Sequence, residues 1–118
     1  MTRAELETFL ATFKGAEVSA PFGPDSLVYK VMGKMFALVS QTEPPNRVTL
    51  KCDPEQGELL VSHYDAVAPG RYMNKKHWIT VSLTGELADD ALEDLALTSY
   101  ELVVKGLRKV DREALASL

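Results

Sequence analysis

Cysteine is nearly absent from the 118 residues. A single thiol, Cys52, excludes an internal disulfide and fits a reducing compartment. Long hydrophobic runs are missing as well: uncharged stretches such as Met35–Thr42 fall far short of the ~20 apolar residues that span a bilayer. The opening Met-Thr-Arg-Ala-Glu-Leu-Glu is polar and lacks the apolar core of a signal peptide, so the expectation is a cytoplasmic protein with no membrane partner.

Catalytic motifs are missing too. There is no GxSxG elbow, no Walker loop and no GxGxxG, which leaves acyl transfer, nucleotide hydrolysis and dinucleotide binding without local support. Cys52, His63 and His77 are the soft or imidazole metal-ligand candidates, and no pair of them has CxxC or HxxxH spacing. Asp89, Asp90, Glu93 and Asp94 could be a general-acid cluster, but capping and dipole compensation at a helix start account for them. The chain is therefore read as a non-enzyme with no metal and no cofactor.

What is present is an ordinary globular composition, with 46% apolar and 25% charged residues. The length favours one domain over residues 1–118. The net charge of −4 is unevenly spread. Residues 26–83 carry seven cations (Lys30, Lys34, Arg47, Lys51, Arg71, Lys75, Lys76) against five acids, whereas both ends are acidic. Such asymmetry either makes a local field that the total conceals or reflects only the solvated acidic faces of helices.

Local signals order the elements. Thr2-x-x-Glu5 is a capping box, followed by Leu6, Phe9, Leu10 and Phe13 at helical spacing and by Gly15 as a stop. Glu17–Ser19 is a short strand candidate, and the prolines of residues 20–25 make a loop. Residues 27–40 read as a β-hairpin about Gly33-Lys34 with a type II′ turn, pairing Val31 with Phe36 and Tyr29 with Leu38 on the core face. Asn46–Cys52 alternates as a third strand, with Cys52 as a small core residue. Asp53-Pro54-Glu55 starts a helix running to about His63. Residues 65–76 read as a loop and His77–Leu83 as a strand. A single long helix capped by Asp89 or Asp90 then buries Leu92, Leu95, Ala96, Ser99, Leu102, Val103, Gly106, Leu107 and Val110, with Lys105, Arg108 and Lys109 complementing its C-terminal dipole. Strand runs without regular βα alternation predict an α+β fold, an antiparallel sheet with N- and C-terminal helices packed on one face.

The most unusual segment is Gly70-Arg-Tyr-Met-Asn-Lys-Lys-His-Trp78, three cations, a histidine, two aromatics and an amide without an acid. Its cations suit phosphate and its aromatic faces suit bases; equally, Tyr72 and Trp78 could anchor a loop whose cations stay in water.

This segment, with Pro21-Phe-Gly-Pro-Asp25, Val28-Tyr-Lys-Val-Met-Gly-Lys-Met-Phe-Ala37, Leu50-Lys-Cys-Asp-Pro54 and Ser99-Tyr-Glu-Leu-Val103, resembles the MmcQ/YjbR family of small bacterial proteins. The resemblance runs over essentially the whole chain, and Met-Asn-Lys-x-His-Trp is its most specific part. Arg71-Tyr72 stands where the family's loop carries an aromatic–His pair. The resemblance implies a CyaY-like (frataxin-like) fold and DNA binding through a "double wing" of hairpins or loops.

Two functions of different class follow. One is weak, phosphate-dominated DNA binding through the hairpin cations Lys30 and Lys34, the strand cations Arg47 and Lys51, and the loop residues Arg71, Asn74, Lys75, Lys76 and His77. Asn74 is the one side chain here suited to bidentate adenine contact, although a loop cap is the better-supported reading of it. The other is a frataxin-like protein-interaction or small-ligand module without a nucleic-acid role. Self-association through the hairpin's second apolar face is a further expectation. Strand alternation predicts that Lys30, Arg47 and Lys51 share the helix-free face, with Lys34 at the tip and Arg71, Lys75 and Lys76 along one margin as a continuous basic strip.

Overall fold

The capping box forms as its spacing predicts. Thr2 Oγ1 accepts from the Glu5 amide at 3.1 Å, and Glu5 Oε1 accepts from the Thr2 amide at 2.9 Å. These bonds start helix α1 (Arg3–Ala11) and hold the Glu5 carboxyl below its ordinary pKa. The computed structural model describes residues 1–40, 45–70 and 73–118.

After α1 come β1 (Ala16–Ser19), β2 (Ser26–Val31), β3 (Lys34–Ser40), β4 (Arg47–Lys51), α2 (Pro54–His63), β5 (Val67–Pro69), β6 (Trp78–Ser82), α3 (Asp89–Lys105) and α4 (Lys109–Ala116). The strands form one six-stranded sheet in the order β1-β2-β3-β4-β6-β5, and every neighbouring pair is antiparallel. The fold is α+β. Strand β5 lies inside the stretch read as a loop; three residues ending in a proline give no alternation to detect.

The hairpin turn sits one residue earlier than predicted. Val31 pairs with Lys34, so Met32 and Gly33 are the central residues. Both have positive φ, 49° and 81°, the mark of a type I′ turn rather than II′. Lys30 then pairs with Met35 and Tyr29 with Ala37, which leaves Phe36 as the extra residue of a β-bulge. The bulge turns two consecutive side chains, Phe36 and Ala37, into the core, and both are fully buried. It also moves Leu38 opposite Val28, to the other face, and brings Val39 inward. The expected Val31–Phe36 and Tyr29–Leu38 pairs are thus overturned, although Phe36 still reaches the core.

The last helix is two helices. It ends at Gly106, and α4 begins three residues later. Leu92, Leu95, Ala96, Ser99, Val103 and Leu107 are buried as expected, but the change of axis leaves Val110 exposed. Neither Asp89 nor Asp90 caps α3; its N-cap is Ala88. Asp89 instead holds the Met1 ammonium at 2.6 Å, and Asp90 accepts from the Ala91 amide. Arg108 and Lys109 open α4 and pair forward with Asp111 at 3.2 Å and Glu113 at 4.0 Å.

The helices cover the face of the sheet that carries Tyr29, Val31, Val48, Leu50, Ile79 and Val81, in one hydrophobic cluster with Leu6, Leu10 and Leu95. Phe13, just past α1, is stacked on Tyr100 at 4.8 Å and edge-on to Phe36 at 5.7 Å. Buried Ser99 joins α3 to the sheet. Its hydroxyl donates to the Phe36 carbonyl at 2.6 Å and accepts from the Lys51 amide at 2.8 Å. Those backbone groups lie just past the Ala37–Leu50 pair that ends the β3–β4 ladder, so the serine replaces a ladder bond that the bulge removes.

Candidate functional site

Alternation along β2 and β4 puts Lys30, Arg47 and Lys51 on the face opposite Tyr29, Val31, Val48 and Leu50, which is the helix-free face. Between Arg47 and Lys51 on β4, Thr49 faces Thr80 of β6, and their buried hydroxyls lie 3.0 Å apart. The row is not uniformly basic. Lys30 sits opposite Glu17 of β1, and Arg47 lines a shallow depression together with Asp65 and Glu86. These acids sit where their fields oppose the cations.

Past the bulge, β3 and β4 separate and a groove of about 360 Å³ opens between the hairpin tip and the end of β4. Lys34 and Met35 form one wall, Lys51 and Trp78 the other, with Val103 of α3 and Gly106 at its C-terminal cap completing it. The Lys51 ammonium lies 6.0 Å from the centre of the Trp78 ring, at the outer reach of a cation–π contact. Lys51 and Trp78 are cross-strand partners, so the register itself sets this pair. The share of α3 in the groove was not readable from local sequence; the one cue is Gly106, where the helix stops.

The loop before β6 is tied by Asn74. Its side-chain oxygen accepts from the Lys76 amide at 2.9 Å, and its carbonyl accepts from the His77 amide at 3.1 Å. The His77 carbonyl in turn accepts from the Cys52 amide at 2.9 Å. Asn74 therefore does the work of a turn cap here, and a bidentate contact to a base requires breaking that bond. Gly70 lets β5 lie against β6: a Cβ there would fall 2.6 Å from the Trp78 Cβ.

Lys75 and Lys76 do not extend the row on β4. They border a second cavity, of about 320 Å³, between α2 and the β5–β6 edge, with Gly57, Val61, Pro69 and Ile79 among its walls. Arg71 lies outside the described residues. His77 is exposed beside these lysines.

Among the described residues, Lys30, Lys34, Arg47, Lys51, Lys75 and Lys76 form no ion pair; the pairs present involve Met1, Arg3, Arg108 and Lys109. These six described cations therefore lack a direct ion-pair partner among the described residues, although acids lie near Lys30 and Arg47. Cys52 is buried, and burial with Asp53 nearby pushes its thiol above the ordinary value. A protonated, enclosed thiol is a poor nucleophile. No three His, Cys, Asp or Glu side chains gather as a metal site among the described residues, and no helix there is long and apolar enough to cross a membrane.

Similarity to known proteins extends over the whole chain. The YjbR family model matches residues 11–102. The Escherichia coli O157:H7 protein YbdF is 41% identical over 97 residues, 82% of this chain and 80% of its own. The Escherichia coli K12 protein YjbR is 36% identical over the full length of both chains. A crystal structure of a Deinococcus radiodurans protein with a DUF419 domain superposes with a TM-score of 0.88 at 38% identity, covering 98% of this chain and 88% of that one. A Pseudomonas syringae protein superposes with a TM-score of 0.76 at 25% identity, over 86% of this chain and 98% of its own. A match of this extent, in sequence and in fold together, places the chain in the YjbR family.

Proposed function

We propose that the protein binds DNA weakly, mainly through phosphates, and that the split-sheet groove is the principal contact. One observation carries the reading: Lys34 lines the same groove as the Lys51–Trp78 pair, and neither lysine has an internal ion-pair partner among the described residues. Ammonium groups on two walls suit a phosphate backbone running between them, while the indole offers a flat surface for a sugar or an unstacked base. Lys30 stands on the strand leading to the hairpin tip and adds to the same field. Lys75, Lys76, His77 and Arg71 supply the second element of a double-wing contact in this proposal, with the hairpin as the first. The frataxin-like likeness belongs to it too, supported by N- and C-terminal helices on one face of an antiparallel sheet. So do a cytoplasmic setting, the absence of catalysis and self-association through the hairpin.

The net charge of −4 sets the scale. Few phosphates are neutralised, so affinity is modest and falls steeply with salt. Fluorescence anisotropy with a duplex of roughly 20 base pairs at about 50 and 200 mM salt tests this. Binding is expected at the lower salt and a loss of at least about tenfold in Lys34→Glu/Lys51→Glu. Unchanged binding by that double variant, or none by the wild type, rejects the groove.

A further inference from the structure

The cavity beside α2 lies apart from the split-sheet groove and has a different character. Helix α2 is seated by a glycine: Gly57 is the residue it buries, and a Cβ there would lie 2.9 Å from Cys52 Sγ and 3.5 Å from Ile79 Cγ2. Leu59 points away and is 61% exposed, while Leu60 and Val61 are half-buried. Leu60 and Val61 pack against the core on one side of the helix, and a cavity of about 320 Å³ lies between its flank and the β5–β6 edge.

The chemistry of the walls is two-sided. Val61, Pro69 and Ile79 present hydrocarbon, and Lys75 and Lys76 stand at the border. Glu58 is the one acid among the lining residues, so the cations outnumber it two to one, and none of the three is in an ion pair among the described residues. Residues 74–77, which carry the lysines, are tied by two hydrogen bonds to Asn74. An apolar recess with a few polar groups at its edge is the usual form of a small-molecule site, and this volume falls at the small end of that range.

The geometry points to a binding site for a small amphipathic anion, an aliphatic or aryl body seated on Val61, Pro69 and Ile79 with one carboxylate held at Lys75 and Lys76. A cationic amphiphile of equal size is disfavoured by the lysine pair, and a bare anion forgoes the apolar walls.

The test is a ¹H–¹⁵N NMR titration of the intact protein with octanoate, octylammonium and acetate. Octanoate at up to about 10 mM is expected to shift the amides of Gly57, Val61, Lys76 and Ile79 with saturation, at concentrations where octylammonium and acetate do not. Ser62→Phe, which places a ring in the cavity from an exposed position on α2, is expected to abolish the shifts. Lys75→Gln/Lys76→Gln should weaken octanoate about tenfold, while Lys34→Glu/Lys51→Glu leaves it unchanged. Absence of saturable shifts at these residues, or equal shifts from octylammonium, overturns the assignment. The DNA proposal is scored separately, because Ser62→Phe leaves the groove at Trp78 untouched.

Discussion

Ser99 and Phe36 are 63 positions apart in the chain, yet the Ser99 hydroxyl donates to the Phe36 carbonyl at 2.6 Å with both residues fully buried. The same oxygen takes the Lys51 amide, so one side chain serves two backbone groups that the bulge leaves without ladder partners. Ser99→Ala removes both bonds. Each stranded group costs about 1–3 kcal/mol, and water entering beside the groove offsets part of that. A loss of about 2–4 kcal/mol in urea unfolding is expected, with faster hydrogen exchange at the Lys51 amide. A loss below about 0.5 kcal/mol would mean the bridge contributes nothing.

Gly57 sets how closely α2 approaches the sheet. Gly→Ala inside a helix ordinarily gains about 1 kcal/mol, whereas forcing a methyl to 2.9 Å from Cys52 Sγ costs about 1–3 kcal/mol. Gly57→Ala should therefore destabilise. In a Cys52→Ala background the clash disappears, and the same change should become neutral or stabilising. A double-mutant cycle by thermal unfolding reads the sign, and additivity of the two changes would refute the contact.

The hairpin turn offers a purely conformational comparison. At Gly33, φ is +81° and no atom lies within 4 Å of a built Cβ. Gly33→Ala should thus cost about 1–2 kcal/mol from backbone strain alone, without new contacts. Had the turn been centred on Gly33-Lys34, Lys34→Gly would relieve no strain and still cost little. With Met32-Gly33 at the centre, Lys34→Gly weakens a strand residue by up to about 1 kcal/mol.

Stability should decline at alkaline pH. Burial raises the Cys52 thiol and the Tyr29 and Tyr100 phenols above their ordinary values. For each, the native state keeps the proton longer than the unfolded chain does. The contribution is complete below the unfolded pKa and lost as pH rises through the folded one. Urea midpoints should fall on going from pH 7 to above about 10, and Cys52→Ala should flatten the earlier part of that fall. Glu5 acts in the opposite direction. Its lowered carboxyl gives a contribution present above the ordinary carboxylate range and lost as pH drops.

The elements that could be read from sequence are those with local causes. Thr2 and Asp53 cap their helices because the bonds they make reach only three residues. The alternation of Val48 and Leu50 with Arg47 and Lys51 placed β4 and its faces. The bulge at Phe36 was not readable, since Met35-Phe36-Ala37-Leu38 is apolar in either register and the contacts that distinguish them, from Phe13, Tyr29, Ser99 and Tyr100, are distant in sequence. The groove escaped for the same reason: it exists where strands diverge, and no local pattern encodes divergence. Lys75 and Lys76 read as part of the basic strip, because the loop turn tied by Asn74, which carries them toward α2, follows from hydrogen bonds with no signature in charge spacing.

The sheet order has a kinetic consequence. Strands β1 to β4 are joined in sequence and pair as a meander, so their contacts close short loops. Strand β6 reaches β4 only after α2 and β5 have been bridged, a longer closure with a larger entropic barrier. The Trp78 wall of the groove should therefore be assembled after the Lys34 wall. Pulse-labelled hydrogen exchange would show amides of β2 and β3 protected before those of Ile79 and Val81, and simultaneous protection would contradict this sequence of events. The two walls of the candidate groove would then be among the last surfaces of the molecule to meet.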